Sequence, residues 1–401
     1  MLKRLNPFSK FPPPRYALGF SELLSIISCI IYYRRKGLDP GYEDHFEDLY
    51  TQQFSEFMGG GFSDAVSSGC ASIYIALKTL ALPKGSLIAT SPVTDASVIG
   101  CITELGHVPY LLDSAANSYN TSVEQLKERY RPDLAALVLT HAGGVPCDVK
   151  PILDFCLSHS IELIEDCSQA IGAVPVNQTR PVGTYGRFGC FSTMYRKNLS
   201  ASGSSGLLYS SNSIDYQVAR QHADRGKRWW DKQKVDMRDP GFADFPGLNF
   251  NSDEIRCAIG LANLQRLPHT NNRRLSFLKA LKYYFDTYEL KMFAFSEFHF
   301  GLAPFYFPII VNPLDSGLSI LDISVALRDA GLGIGVKYGC LVSTWTWATP
   351  YMFDDFVSVN ALAFRDSCFH LYVNENYTRS HAKHIAKQLK SYELKSTASF
   401  D

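Results

Sequence analysis

The chain has 401 residues, long enough for one large domain and a smaller one, and its 46% content of aliphatic, aromatic and cysteine residues can fill both cores. Its 39 basic and 39 acidic residues cancel, with no long run of either sign. That balance argues against a nucleic-acid partner and against general attraction to an anionic membrane, which leaves small molecules or another protein chain.

In chain order, the first feature is the apolar stretch "LLSIISCIIYY" (Leu23 to Tyr33), which ends in "RRKG". It is about half the ~20 residues that a spanning helix needs, and it starts too far along the chain, after "FPPPR", for a signal peptide. It is read as a core helix, the alternative being a helix lying in a membrane interface.

From about residue 65 to 210, apolar runs of strand length alternate with helical patterns. "GSLIATSP" precedes "ASVIGCITELG". "HVPYLLD" precedes "TSVEQLKERY", where Thr121 and Glu124 stand at capping-box spacing. "LAALVLTH" precedes "VKPILDFCLSHS", and "IELIED", "GRFGCFST" and "SGLLYSS" follow. Continuous apolar strands separated by helices define an α/β chain with a mainly parallel sheet covered on both faces. A long helical connection, "SDEIRCAIGLANLQRL…RRLSFLKALKYYFDTYE", leads to a smaller α/β domain, with a strand in "FYFPIIV" and a helix in "SILDISVALRDAGLG". The expected division is an N-terminal helical segment (1–45), a large domain (46–250), and connecting helices with a small C-terminal domain (251–401).

The ten cysteines are scattered, with no Cys-x-x-Cys pair. That suits reduced, mostly buried thiols of a cytoplasmic protein, and not a disulfide framework or a metal site.

In such a sheet, ligands bind beyond the carboxyl ends of the strands. "IELIED" places Asp166 at one such end, where it can face a bound ring or simply cap the next helix. "SSG" (67–69) precedes a helix with the apolar face Ile73, Ala76, Leu77 and Leu80. Its exposed amides suit a phosphate, or an ordinary helix cap. Lys197 stands alone in "FSTMYRKNLSASGSSG". Together the three make a pattern: a pyridoxal 5'-phosphate (PLP) enzyme needs a lysine for the aldehyde, an acid facing the pyridine nitrogen and a cradle for the phosphate. The lysine must lose its proton to act, which desolvation promotes.

The sequence resembles the DegT/DnrJ/EryC1/StrS sugar aminotransferases, fold-type I PLP enzymes, from about Phe46 to Leu389. "HFEDLYTQQFSEFMGG…AVSSGCASIYIAL", "IEDCSQAIGA", "GCFSTMYRKNLSASGSSG" and "GLNFNSDEIRCAIGLANLQRL" carry the likeness, in family order. The resemblance implies that Lys197 bonds the cofactor and later carries the proton, that Asp166 pairs with the ring nitrogen, and that Gln169 sits beside the ring. It also implies phosphate contacts from Gly69, Cys70, Ala71 and Ser192, and from Asn249 across a homodimer interface that completes two shared sites. The family's Gly-Glu-Gly-Gly turn has become "GSSG" (203–206), and three further positions depart from the family pattern. Asp95 stands where an aromatic stacks on the cofactor, Cys70 where threonine is usual, and Asn251 where an arginine is usual. Members that dehydrate sugars carry histidine at the position of Lys197, so the lysine favours an aminotransferase, with glutamate as amino donor and a nucleotide-linked keto sugar as acceptor. A PLP-dependent sugar dehydratase, or a PLP-binding protein without transaminase activity, are the alternatives.

Three further motifs carry weaker signals. "GLGIG" (331–335) lacks dinucleotide-loop spacing and is a turn. His381 and His384 are solvated residues of a polar helix. "RGKRWWDKQK" (225–234) is a loop that either lines the site or contacts sugar-nucleotide phosphates, or is ordered only by packing.

Overall fold

The computed structural model describes residues 12–398 except 14, 229–235, 237, 297, 300 and 313–318. Seven strands form the main sheet: β1 (Phe62–Val66), β2 (Leu87–Thr90), β3 (Val108–Leu111), β4 (Leu134–Thr140), β5 (Glu162–Asp166), β6 (Phe188–Ser192) and β7 (Gly206–Ser210). Their spatial order is β1-β7-β6-β5-β4-β2-β3, and only β7 runs against the others. Thr140 pairs with Asp166 and Asp166 with Cys190, so the carboxyl ends of three neighbouring strands lie level.

Side chains alternate between the faces of this sheet, as the period of a strand requires. In β5, Ile164 joins a core with Ile73, Ala76 and Leu77 of α3 (Gly69–Thr79) and Val98 and Ile102 of α4 (Ala96–Glu104). Its neighbour Leu163 joins the opposite core with Leu126 of α5 (Val123–Glu128) and Ile152 and Cys156 of α6 (Val149–Ser158). The first core is completed by Ala219 and Ala223 of α7 (Ser213–Ala223). Helix α2 (His45–Phe57) packs Tyr50 and Phe54 with Phe191, Leu207 and Leu264 in a third cluster.

Leu264 belongs to α8 (Glu254–Thr287), 34 residues long, which runs on to a second sheet. There β8 (Phe293–Phe295), β9 (Tyr306–Val311), β10 (Ile334–Gly335) and β11 (Cys368–Tyr372) are all antiparallel, in the order β10-β11-β9-β8. Phe307, Ile309, Phe369 and Leu371 meet Phe277 and Leu281 of α8, Ile323 and Leu327 of α9 (Ile320–Asp329), and Ile385 and Leu389 of α11 (Arg379–Ala398). The remaining helix, α10 (Val359–Asp366), leads into β11. "GLGIG" forms the turn after α9 and the start of β10, with Gly331 at φ +95°.

Two local expectations need correction. The segment from Leu23 to Tyr33 does lie in a helix, α1 (Phe20–Arg35), but it is not a core helix. Glu22, Cys29 and Tyr33 face inward, while Leu23, Leu24, Ile27, Ile30 and Ile31 are 41% to 50% exposed. Polar contacts fix this orientation: Ser25 Oγ donates to the Ala258 carbonyl (2.6 Å), Tyr33 OH to Glu254 (2.6 Å), and Arg266 pairs with Glu22. The second correction is that Thr121 and Glu124 form no capping box. Ser122 is the N-cap of α5, and the Thr121 hydroxyl donates instead to the Asp113 carbonyl (3.1 Å). Among the described residues, no helix is long and apolar enough to cross a membrane. All ten cysteines are free, and only Cys70 and Cys340 are not buried.

Candidate active site

The site is assembled at the carboxyl edge of the main sheet. Asp166 ends β5, is 3% exposed, and accepts a hydrogen bond from the Ser168 amide (3.0 Å). Behind it, Glu165 braces the strand end. Its carboxylate accepts from the amides of Gly183 (2.9 Å), Tyr185 (2.7 Å) and Gly186 (2.7 Å), and it pairs with His141 (3.1 Å). Burial opposes charge on His141, but Cys147, Cys167 and Glu165 outweigh it and raise its pKa. The ligand atoms of His141, Glu165 and Cys167 lie within 4.8 Å of one another. With Glu165 already held by four donors, the cluster reads as a structural brace.

Ser192, at the end of β6, donates its amide to Ser168 Oγ (3.1 Å) and packs against the start of α3. A Cβ on Gly69 would lie 2.6 Å from the Ser192 Cβ, so only glycine lets this helix terminus approach so closely. Ser68 caps α3, its hydroxyl accepting from the Ala71 amide (3.0 Å). The amides of Gly69 and Cys70 have no carbonyl of their own helix to bond and stand at its positive end. Of the three amides expected to hold a phosphate, Ala71 is thus already engaged by the cap.

Lys197 follows a turn in which its amide donates to the Met194 carbonyl (2.9 Å). Its ammonium lies 4.9 Å from the centre of the Phe305 ring. Burial lowers its pKa below the ordinary lysine range, against the pull of Asp166, Asp95 and Cys340. The adjacent Asn198 bolts this loop to α8: its amide group donates to Asn271 Oδ1 (3.1 Å) and the Ala303 carbonyl (3.0 Å), and its oxygen accepts from the buried Arg274 (2.5 Å). Arg274 pairs in turn with Glu375 (2.7 Å).

Gln169 is held between two elements, accepting from the Gly143 amide (2.8 Å) and donating to the Tyr338 hydroxyl (3.1 Å). Asp95 is exposed and caps α4, accepting from the amide (2.9 Å) and hydroxyl (2.7 Å) of Ser97. It supplies no ring. Beside it runs the segment Tyr338 to Leu341, pinned by Thr94 N–H to the Cys340 carbonyl (3.3 Å) and by a β-bridge between Val93 and Leu341. Cys70 faces Cys101 (Sγ to Sγ 3.6 Å), and hydrogen bonds from Cys101 and Ser97, against burial, bring its thiol down to about 7.

Gly69, Cys70, Ser192, Asp166, Gln169, Asp95 and Lys197 are therefore gathered at one sheet edge. Asn249 is not among them: it is exposed, bridged to Asp224, and accepts from the Asn251 amide (3.0 Å). In the loop before it, Lys227 is buried against Asp224 and Glu43, while Trp229 and Trp230 lie outside the described residues. Phe305, Tyr338 and Cys340 were not among the residues singled out in the sequence. They stand far along the chain, and the folding of the second sheet alone brings them to the lysine.

The residues fit PLP: an amine of lowered pKa for the aldehyde, a carboxylate for the ring nitrogen, and unpaired helix-terminal amides with a serine hydroxyl for the phosphate. Fold and site together define a fold-type I PLP-dependent transferase. The sequence profile of the DegT/DnrJ/EryC1/StrS aminotransferase family matches residues 42–390, and the chain belongs to that PLP-dependent family.

Among its relatives, GDP-perosamine synthase of Vibrio cholerae is 28% identical over 224 residues, 55% of this chain and 57% of the relative. The spore coat polysaccharide biosynthesis protein SpsC of Bacillus subtilis (strain 168) is 28% identical over 228 residues, 56% and 58% of the two chains. The alignments thus span a little over half the length of these relatives. An aminotransferase from Psychrobacter cryohalolentis has the same fold, with TM-score 0.84, 18% identity, and coverage of 95% of this chain and 99% of that one. So does a GDP-4-keto-6-deoxymannose-3-dehydratase trapped with a PLP-glutamate geminal diamine, with TM-score 0.80, 19% identity, and coverage of 95% and 100%.

Proposed function

We propose that the protein is a PLP-dependent aminotransferase that moves an amino group from an amino acid, glutamate by expectation, to a keto group of a nucleotide-linked sugar. The observation that carries this reading is Lys197, whose pKa is lowered by burial while Asp166 and Asp95 lie close enough to counter the shift. Bound PLP supplies a ring that withdraws electrons from the carbon losing its proton. The protein's own residues then have separable tasks. Lys197 Nζ would remove the proton from the donor's α-carbon in the first half-reaction and deliver one to the acceptor carbon in the second, acting once as base and once as acid in each half. Asp166 would pair with the ring nitrogen and favour its protonated form. Gln169, fixed by Gly143 and Tyr338, orients the ring edge. The amides of Gly69 and Cys70 and the Ser192 hydroxyl would hold the phosphate, and Tyr338 and Cys340, beside Gln169 and Lys197, would supply the wall that Asp95 leaves without an aromatic.

In this reading residues 46–250 form the cofactor domain and 251–401 the connecting helices and small domain. The protein acts in the cytoplasm as a homodimer with shared sites, Asn249 reaching the partner's phosphate. Its outward-facing position is what such a role requires.

Incubation of the PLP-loaded protein with glutamate and candidate 4-keto nucleotide sugars, followed by mass analysis, tests the proposal. A product that has gained nitrogen, absent with Lys197→Ala, is expected. A product that has lost water without gaining nitrogen would identify a dehydratase instead.

A further inference from the structure

Helix α1 is amphipathic in the reverse of the usual sense. Its inward face carries Glu22, Ser25, Cys29 and Tyr33, and its outward face carries Phe20 (75% exposed), Leu23, Leu24, Ile27, Ile30 and Ile31. These apolar residues recur at intervals of three and four, so they form one continuous stripe along about three turns. The chain leading into the helix adds Tyr16 (65% exposed) and Leu18 (50%). Isolated exposed apolar residues are ordinary, but a contiguous stripe of this length marks an interaction surface.

Charge distribution indicates what covers it. The chain as a whole is neutral, yet Met1–Lys36 holds seven basic residues and one acidic residue, leaving 32 basic and 38 acidic beyond it. The single acid, Glu22, is turned inward and taken by Arg266. Arg34, Arg35 and Lys36, by contrast, are exposed at the end of the apolar stripe. A second copy pairing through α1 would offer no outward acidic side chain of that helix to meet the three cations. An anionic lipid surface offers both an apolar layer for the stripe and negative head groups for the basic end. We infer that α1 docks the protein, peripherally and reversibly, on an anionic membrane. The apolar face lies at the level of the head groups and the basic cluster sits among the phosphates. No part of the helix crosses the bilayer, in keeping with its 16 residues.

The test is sedimentation of the full-length, PLP-loaded protein with phosphatidylcholine vesicles, alone and with about one third phosphatidylglycerol. The wild type is expected to sediment with the anionic vesicles and to be released by high salt. The triple variant Leu24→Gln/Ile27→Gln/Ile31→Gln should lose the association, and Arg34→Ser/Arg35→Ser/Lys36→Ser should weaken it about tenfold or more. All six side chains are exposed, so neither variant removes a core contact. Sedimentation velocity of the same proteins separates the competing occupant. Absence of wild-type binding to anionic vesicles would overturn the inference, as would a glutamine triple variant that changes oligomer size without changing vesicle binding.

Discussion

Replacing Arg274 with methionine tests whether the Lys197 loop is held by the buried network beneath it. Arg274 is 1% exposed, and it donates to Asn198 Oδ1 (2.5 Å), the carbonyls of Pro304 (2.9 Å) and Val373 (3.1 Å), and Glu375 (2.7 Å). Methionine keeps much of the volume and none of the donors. Breaking a buried ion pair costs about 3–5 kcal/mol, because the remaining charge is stranded. Here Arg15 stays 3.2 Å from Glu375, which limits that part to the lower end. The carbonyls of Pro304 and Val373 lose a donor at about 1 kcal/mol each, so the expected total is about 5 kcal/mol. Guanidinium unfolding of Arg274→Met, Glu375→Gln and the double variant measures it. The double variant should recover at least about 1 kcal/mol relative to additivity, since no unpaired carboxylate remains. The visible absorbance of lysine-bound PLP should also weaken in Arg274→Met, because Asn198 adjoins Lys197. A cost below about 1 kcal/mol, or strict additivity, would refute the network as the support of the loop.

Three further outcomes follow from the same geometry. Gly69→Ala would place a methyl group 2.6 Å from the Ser192 Cβ and 3.0 Å from its Cα, so backbone must move. A cost of about 1–3 kcal/mol in unfolding and at least about a tenfold rise in the PLP Kd by fluorescence titration are expected. Cys70, with its thiol at about 7, should react with iodoacetamide with a half-maximal rate near that pH, and bound PLP should protect it. Peptide mapping reads both. Burial works to raise the pKa of Glu375, but Arg274 and Arg15 outweigh it and bring it down to about 2. Its folded-state pKa lies below the unfolded value of ~4.3, so its contribution is present above that value and is lost as pH falls towards the folded one. Glu375→Gln should flatten that limb of the stability profile.

The residues that could be read from the sequence are those whose chemistry is local. Asp166 ends a strand of apolar residues, Gly69 opens a helix after a serine cap, and Lys197 follows a strand-like run, so each carries its own signal. The structure sets them at one sheet edge. Tyr338, Cys340 and Phe305 carry no such signal, because their place beside Lys197 depends on how β9 and the segment after β10 meet the main sheet. Arg274 looked like one more charge on a long helix; only its burial against Asn198 and Glu375 reveals its task. The error over α1 has a related cause. An apolar stripe at helical spacing is the same pattern whether it faces a core or the outside, and the inward choice was made by Ser25, Tyr33 and Glu22, which find partners on α8. The capping box failed by one residue, since Ser122 competes for the position predicted for Thr121.

The most direct test of the central claim is borohydride reduction of the PLP-loaded protein, followed by proteolysis and mass spectrometry. Reduction fixes the cofactor to whichever amine holds it. The account predicts a phosphopyridoxyl group on Lys197 alone, and no fixed label in Lys197→Ala. A label on a different lysine, or none on the wild-type protein with cofactor bound, would contradict it.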